Sequence, residues 1–557
     1  MKLKITIVLI LVSIFNNAQE KANFFGGFES NSQWYLNDNG LKDQFNNSTI
    51  QPENPLRSNN YLFLNYKNNN WSAGIQAESF QKEALLNYNP KYQKTNVATY
   101  FVNYKNDKID LTAGYFYEQF GSGLLYRSWE DRALGINNAL RGARIIFKPT
   151  NYLTLKSIYG KQRTGFDIAN STIYGSDLEI GISELFKLEK TEFSIGMTYV
   201  GREEKLNIIN QNFKDLTNGF SGRFNFTHNS YYLSSEYDYK SNDAVVQAQG
   251  QIDNRFIKPG NALLINTGFS KKGFGIDATF RRLENMSFFS ERSAKGNTFN
   301  DRIMNFIPSL TKQQHLNLAN IYVYQSQPNV FLEDEFKVKV GEIGGQIDVF
   351  YDIKKETVLG GKNGMKIALN FSKWNALGGK FYIFNPQNYE ADFLGFGKKY
   401  YTDYNLEVTK KWNNKLQFVF SYINQYYNKK LIEDTSGEVN TSIVGAEATY
   451  KLSLKRSIRV VAEHLWTDYD KKNWAGMTTE FNLNSKASFF VSDLYNYGND
   501  LDYYRNHYYN IGGAFRQKST RIALTFGRQR GGLVCVGGVC RNVPTSSGLS
   551  LSLNTSF

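Results

Sequence analysis

Two cysteines, Cys535 and Cys540, are the only thiols in the chain, and they lie in the run LVCVGGVCRNVP. The Gly-Gly pair between them suits a two-residue hairpin turn. That turn sets Val536 opposite Val539 and Cys535 opposite Cys540, the latter as a non-hydrogen-bonded pair whose Cα atoms approach closely enough for a disulfide. Metal binding by two thiolates is the weaker reading, since no His or third thiol lies nearby. The closed ring is small, so the bond stiffens the hairpin more than it stabilises the whole fold.

A second concentration of chemistry is FGSGLLYRSWEDRALGINNALRGARI, residues 120–145, carrying Arg127, Glu130, Asp131, Arg132, Arg141 and Arg144. Arg presents a planar fork to carboxylate or phosphate, so one reading is an arginine-rich constriction or a site for an anionic ligand. The other is an ion-pair network that packs a folded-in loop against a wall, with Glu130 and Asp131 neutralising their Arg neighbours. Catalysis is poorly supported: His228, His315, His464 and His507 are scattered, with neither zinc-ligand spacing nor a nucleophile motif. The pairs Gly360-Gly361 and Gly378-Gly379 stand outside any strand-to-helix context and read as turns. The expectation is a non-enzyme with no cofactor and no metal.

The elements that must position these residues are strands. The last stretch, GLSLSLNTSF, alternates Leu549, Leu551, Leu553, Thr555 and Phe557 with Ser550, Ser552, Asn554 and Ser556, one oily and one polar face of an extended chain. It resembles the closing strand of bacterial outer-membrane β-barrels, whose assembly machinery recognises a terminal Phe, and the resemblance makes Phe557 the assembly signal. At the other end Lys2 and Lys4 precede an apolar run from Ile5 to Phe15 and the small Ala18, the pattern of a signal peptide over residues 1–18. Past Phe15 no stretch approaches the roughly 18 apolar residues of a membrane helix, so a membrane-spanning form must be a closed barrel.

Composition agrees. Tyr (37) and Phe (42) are abundant and Pro (9) is scarce, which suits uninterrupted ladders and interfacial aromatic girdles. A mean hydropathy of −0.47 is compatible, because only half of each barrel strand faces lipid. The net charge of +14 is spread over strands and turns, without the dense basic tract of a nucleic-acid module.

Strand-like runs alternate with short and long connections from Phe24 to the end, about 24 in all (22–26). The fold class expected is all-β: a large single-chain antiparallel transmembrane barrel over residues 19–557, with short periplasmic turns and long extracellular loops. No room is left for the separate plug of TonB-dependent receptors. Two loops, 120–145 and 284–338, are candidates for folding into the lumen, since a barrel of this size otherwise encloses a large aqueous hole.

Three segments, residues 120–145, KFYIFNPQNYEADF and GGLVCVGGVCRNVP, resemble motifs of an uncharacterised family of large outer-membrane proteins from Bacteroidota. The resemblance spans nearly the whole mature chain and implies a barrel in the outer membrane of a Gram-negative bacterium, in contact with lipid and with the outer-membrane assembly machinery. It carries no active residues. The functional expectation is a structural or accessory subunit of an outer-membrane assembly or secretion complex, with an occluded lumen and other outer-membrane or periplasmic proteins as partners. The alternative is a passive or gated solute channel.

Overall fold

The computed structural model describes residues 23–42, 46–206, 211–246, 252–293, 302–332, 337–384, 388–435 and 437–557; the signal-peptide reading of residues 1–18 lies outside them. The first eight barrel strands are β1 (Asn23–Tyr35), β2 (Leu56–Asn68), β3 (Trp71–Gln81), β4 (Thr95–Lys105), β5 (Ile109–Phe116), β6 (Leu140–Thr150), β7 (Leu153–Thr164) and β8 (Thr172–Gly181). Then come β9 (Thr191–Glu203), β10 (Leu216–His228), β11 (Tyr231–Val246), β12 (Ile252–Lys271), β13 (Phe274–Glu284), β14 (Glu342–Ile353), β15 (Met365–Tyr382) and β16 (Asn388–Lys411). The last are β17 (Leu416–Asn428), β18 (Glu438–Lys451), β19 (Ser457–Trp466), β20 (Trp474–Asn482), β21 (Ala487–Tyr495), β22 (Asn510–Gln517), β23 (Thr520–Gln529) and β24 (Ser546–Ser556).

Each strand pairs antiparallel with its neighbours, and β24 pairs with β1 from Gly27↔Ser556 to Tyr35↔Gly548, closing a 24-strand barrel. A two-residue segment, Asp167–Ile168, adds to β7. Beyond the last ladder pair, Gly26 and Phe557 exchange two backbone hydrogen bonds of 2.9 and 3.0 Å. The terminal aromatic therefore sits at the seam, exposed on the outer face.

The alternating pattern orients every strand. On β13, Phe274, Ile276, Ala278 and Phe280 face outward while Asp277, Thr279 and Arg281 face the lumen; on β17, Phe418, Phe420 and Tyr422 are exposed outside. Such an exterior suits hydrocarbon, and closure satisfies every ladder donor that lipid could not. Connections are short at the end holding the chain's C-terminus and long at the other. The short ones use Asn69, Asn229 and Lys518 at positive φ, the local geometry that tight turns need.

One reading departs from the sequence expectation. Gly378-Gly379 is no turn: it lies within β15, where the register against β16 shifts and Gly379 takes φ 147°. Around it β15 and β16 run for 18 and 24 residues and project past the rim as a two-stranded ribbon.

The apolar core lies on the inner side of the wall. Leu316, Leu318, Tyr322 and Tyr324 of the β13–β14 connection pack with Trp374, Tyr401, Ile423, Ile443, Val461 and Leu465 of the β15–β19 wall. Phe120, Leu125 and Tyr126 of the β5–β6 connection pack with Ile158, Ile173 and Val200 of the wall and with Phe288 and Met304. Glycines make room: a Cβ on inward-facing Gly445 would stand 2.5 Å from Leu316, and one on Gly219 would stand 2.6 Å from Leu125.

Candidate functional site

Tight turns cannot reach across a barrel, so the three long connections after β5, β13 and β23 supply what fills its outer half. The first carries most of the charged residues that the sequence singled out. Arg132 donates to Glu29 of β1 at 3.0 Å, to Glu130 at 3.1 Å and to Gln76 of β3 at 3.2 Å, with its guanidinium 4.7 Å over the Tyr61 ring. Gln76 also donates to Glu130 and to Glu78, and Glu78 takes a two-point contact of 3.0 and 2.6 Å from fully buried Arg163 of β7. One chain of charge thus runs from β1 to β7 under the loop. Burial works against the Arg132 cation, but Glu130 and Glu29 outweigh it and hold its pKa above the usual value.

The other named residues separate. Arg144 faces the lumen and pairs with Asp110 at 2.9 Å and Glu118 at 3.5 Å, and Lys156 also reaches Glu118, at 3.0 Å. Arg127 lies 4.0 Å from the Phe306 ring centre and 5.1 Å from that of Trp129, and burial lowers its pKa. Asp131 caps its own turn, accepting from the Leu134 amide at 2.9 Å. Arg141 is not brought to the cluster: strand alternation on β6 puts it with Ala143, Ile145 and Phe147 on the outer face, where it is exposed.

Two networks had no local signal in the sequence. Arg281 of β13 donates to Glu342 of β14 at 3.0 and 2.5 Å, to the Pro308 carbonyl at 2.7 Å and to Ser326 Oγ at 2.9 Å. The second Glu342 oxygen accepts from Tyr324 Oη at 2.6 Å and from the Gln327 amide at 2.7 Å. Tyr324 is stacked between Trp374 and Tyr401. The second network joins Arg292 of the long connection to Asp243 at 2.6 Å and Glu204 at 3.2 Å, while Arg202 of β9 shares Asp243. The charged partners in these contacts lie 41 to 88 positions apart and meet through the pairing of neighbouring strands and the seating of the long connection. What sequence does carry is the parity that puts Arg281 on the lumen face.

The disulfide hairpin is the third piece. Cys535 and Cys540 are bonded and are opposed register partners with Cα atoms 4.0 Å apart, and Gly537 and Gly538 take φ of 57° and 79°. The Ser309 amide donates to the Gly538 carbonyl at 2.8 Å, and Cys540 is buried beside Tyr324. The Arg530 guanidinium, at the start of the same connection, donates to the Asn320 carbonyl at 2.9 Å. Lys339 is half-buried where the long connection meets the β17–β18 loop, donating to Gln327 and the Leu431 carbonyl. Burial pushes its pKa down to about 8, with Asp434 opposing.

Beneath the β5–β6 loop the lumen wall keeps a polar cavity of about 410 Å³, lined by Glu118, Lys156, Asp177, Arg223 and Glu236 among others. Arg223 pairs with Asp177 at 2.7 Å and Glu179 at 3.2 Å, and Glu236 accepts from the Ser122 amide and hydroxyl at 2.8 and 2.9 Å. The loop tip is thereby tied to β11. No His/Cys/Asp/Glu group among the described residues has the arrangement of a metal site.

The P pilus usher (PapC) translocation pore is similar over 96% of this chain and 99% of its own, at 8% identity and a TM-score of 0.43. The copper transporter OprC is similar over 96% and 80%, at 10% identity and 0.40. OpdQ of Pseudomonas aeruginosa is similar over 85% and 96%, at 11% identity and 0.31. No curated protein matches the chain. Residues 1–557 match the family described as "Family of unknown function (DUF6029)", and the chain belongs to that family.

Proposed function

We propose that this protein is an outer-membrane barrel closed by its own loops, serving as a structural or accessory subunit of an outer-membrane complex. One observation carries the reading: the β5–β6, β13–β14 and β23–β24 connections meet one another and the inner wall through buried apolar cores and buried arginine–carboxylate contacts. A loop that gates a wide pore needs low-stability contacts able to open. A core that includes Tyr324, Trp374 and Leu316 at almost no exposure is a fixed filling.

The test is single-channel conductance of the purified protein in a planar bilayer. Silence is expected. Steady openings of the unaltered protein would overturn the closed-barrel reading. Extraction in mild detergent should retain a stoichiometric partner, and a protein that purifies alone would count against the accessory role.

The polar cavity favours a second reading, a gated channel. Its paired charges would select a solute bearing both signs, and openings that depend on a zwitterionic solute would support it. Variants at Arg223 and Lys156 would then change ion selectivity.

A further inference from the structure

The short-turn rim is charged on one side only. Counting each connection with the two residues on either side of it, those after β12, β14, β16, β18, β20 and β22 hold sixteen Lys and Arg against two acidic residues, Asp352 and Glu356. The five after β2, β4, β6, β8 and β10 hold five basic and five acidic residues. The excess on that contiguous arc equals the formal net charge of the whole chain, +14. No ion pair among the described residues engages any of the sixteen.

The same arc displays apolar side chains on braced turns. Val358, Leu359, Trp412 and Leu454 are strongly exposed. The β14–β15 turn is fastened to the β16–β17 turn by Asn363 donating to the Trp412 carbonyl at 2.8 Å and by Lys410 donating to the Leu359 carbonyl at 3.1 Å. The Lys451 amide donates to the Lys415 carbonyl at 2.8 Å, linking the next turn. Between the β18–β19 and β20–β21 turns lies an open depression of about 640 Å³, whose lining includes Leu454, Leu483, Lys455 and Arg456.

We propose that this arc is the docking surface for an acidic protein that places an apolar side chain in the depression beside Leu454 and Leu483. The proposal rests on the accessory reading above and names the chemistry of the partner. Lipid head groups encircle a barrel, so adaptation to an anionic leaflet calls for basic residues all round; here one arc is basic and the other neutral. An apolar depression bordered by Lys455 and Arg456, on an arc of cations outside any ion pair among the described residues, matches a protein interface, in which apolar anchors supply affinity and charge complementarity supplies rate and choice of partner.

The test uses the full-length protein in its native cells, with a photocrosslinking phenylalanine analogue replacing Leu454 and, as control, exposed Phe186 on the neutral arc. A discrete adduct with an acidic protein is expected from position 454 and not from 186. Combined Lys415→Glu, Lys455→Glu and Arg456→Glu substitutions should lower its yield at least about tenfold, with barrel closure checked by heat-modifiable gel mobility. Lipid-only adducts, equal adducts from both positions, no adduct, a basic partner or insensitivity to charge reversal would each overturn it. Channel recordings on the same preparation separate the two ideas: openings sink the closed-barrel reading, whereas the adduct pattern alone decides the docking arc.

Discussion

Replacing Arg281 by Met removes the one cation that holds both the wall carboxylate Glu342 and the loop groups Pro308 and Ser326. Methionine fills much of the side-chain volume, so the loss is chiefly electrostatic. Glu342 is fully buried, and without Arg281 it keeps only its bonds from Tyr324 and the Gln327 amide. Stranding a buried charge in this way costs about 3–5 kcal/mol. Spent on the local equilibrium between seated and released loop, 4 kcal/mol is on the order of a thousandfold in population. Hydrogen exchange of residues 308–327 in detergent micelles should accelerate by that factor, and brief channel openings should appear in a bilayer. Removing both charges with Arg281→Met and Glu342→Gln should cost less than Arg281→Met alone, leaving a coupling above about 1.5 kcal/mol. Additive effects of under about 1 kcal/mol each would refute the idea that this pair anchors the filling.

Arg132→Ala should destabilise the barrel by about 2–4 kcal/mol, because it strands Glu29 and Glu130, whereas Arg141→Ala should stay within about 0.5 kcal/mol; denaturant melts of the two variants check the contrast. Burial pushes the Lys339 ammonium down to about 8 from its ordinary 10.5. The folded state therefore sheds its proton first, and stability should rise by about 1.4 kcal/mol between pH 7 and pH 9; Lys339→Met should flatten that rise in the melting midpoint. Cys535→Ser with Cys540→Ser should loosen the hairpin by about 2 kcal/mol, seen as faster exchange at residues 532–543 without loss of the barrel. Gly445→Val should collide with Leu316 and raise exchange in residues 314–324 while leaving the β17–β18 ladder protected.

The wall was legible because its physics is local: period-two alternation, abundant Tyr and Phe and scarce Pro point to an antiparallel barrel of about 24 strands. Gly537-Gly538 likewise fixed the opposition of Cys535 and Cys540. The filling was not legible to the same degree. Arg132, Glu130 and Arg144 stand close in sequence and drew attention together, yet Arg144 turns to Asp110 and Arg141 turns outward, because strand parity on β6 separates them. Arg202 and Glu204 stand two residues apart, but Asp243 and Arg292 come to them from positions 41 and 88 residues away, a meeting that no spacing rule encodes. The β15–β16 ribbon was missed for another reason: the glycines that read as a turn permit a register shift inside a strand.

The contact between Ser309 and Gly538 makes two connections mutual supports. The disulfide hairpin after β23 rests on the β13–β14 connection, and that connection leans in turn on the hairpin. Loosening either removes a prop from the other, so the filling stands like an arch whose stones hold one another, not like three separate lids.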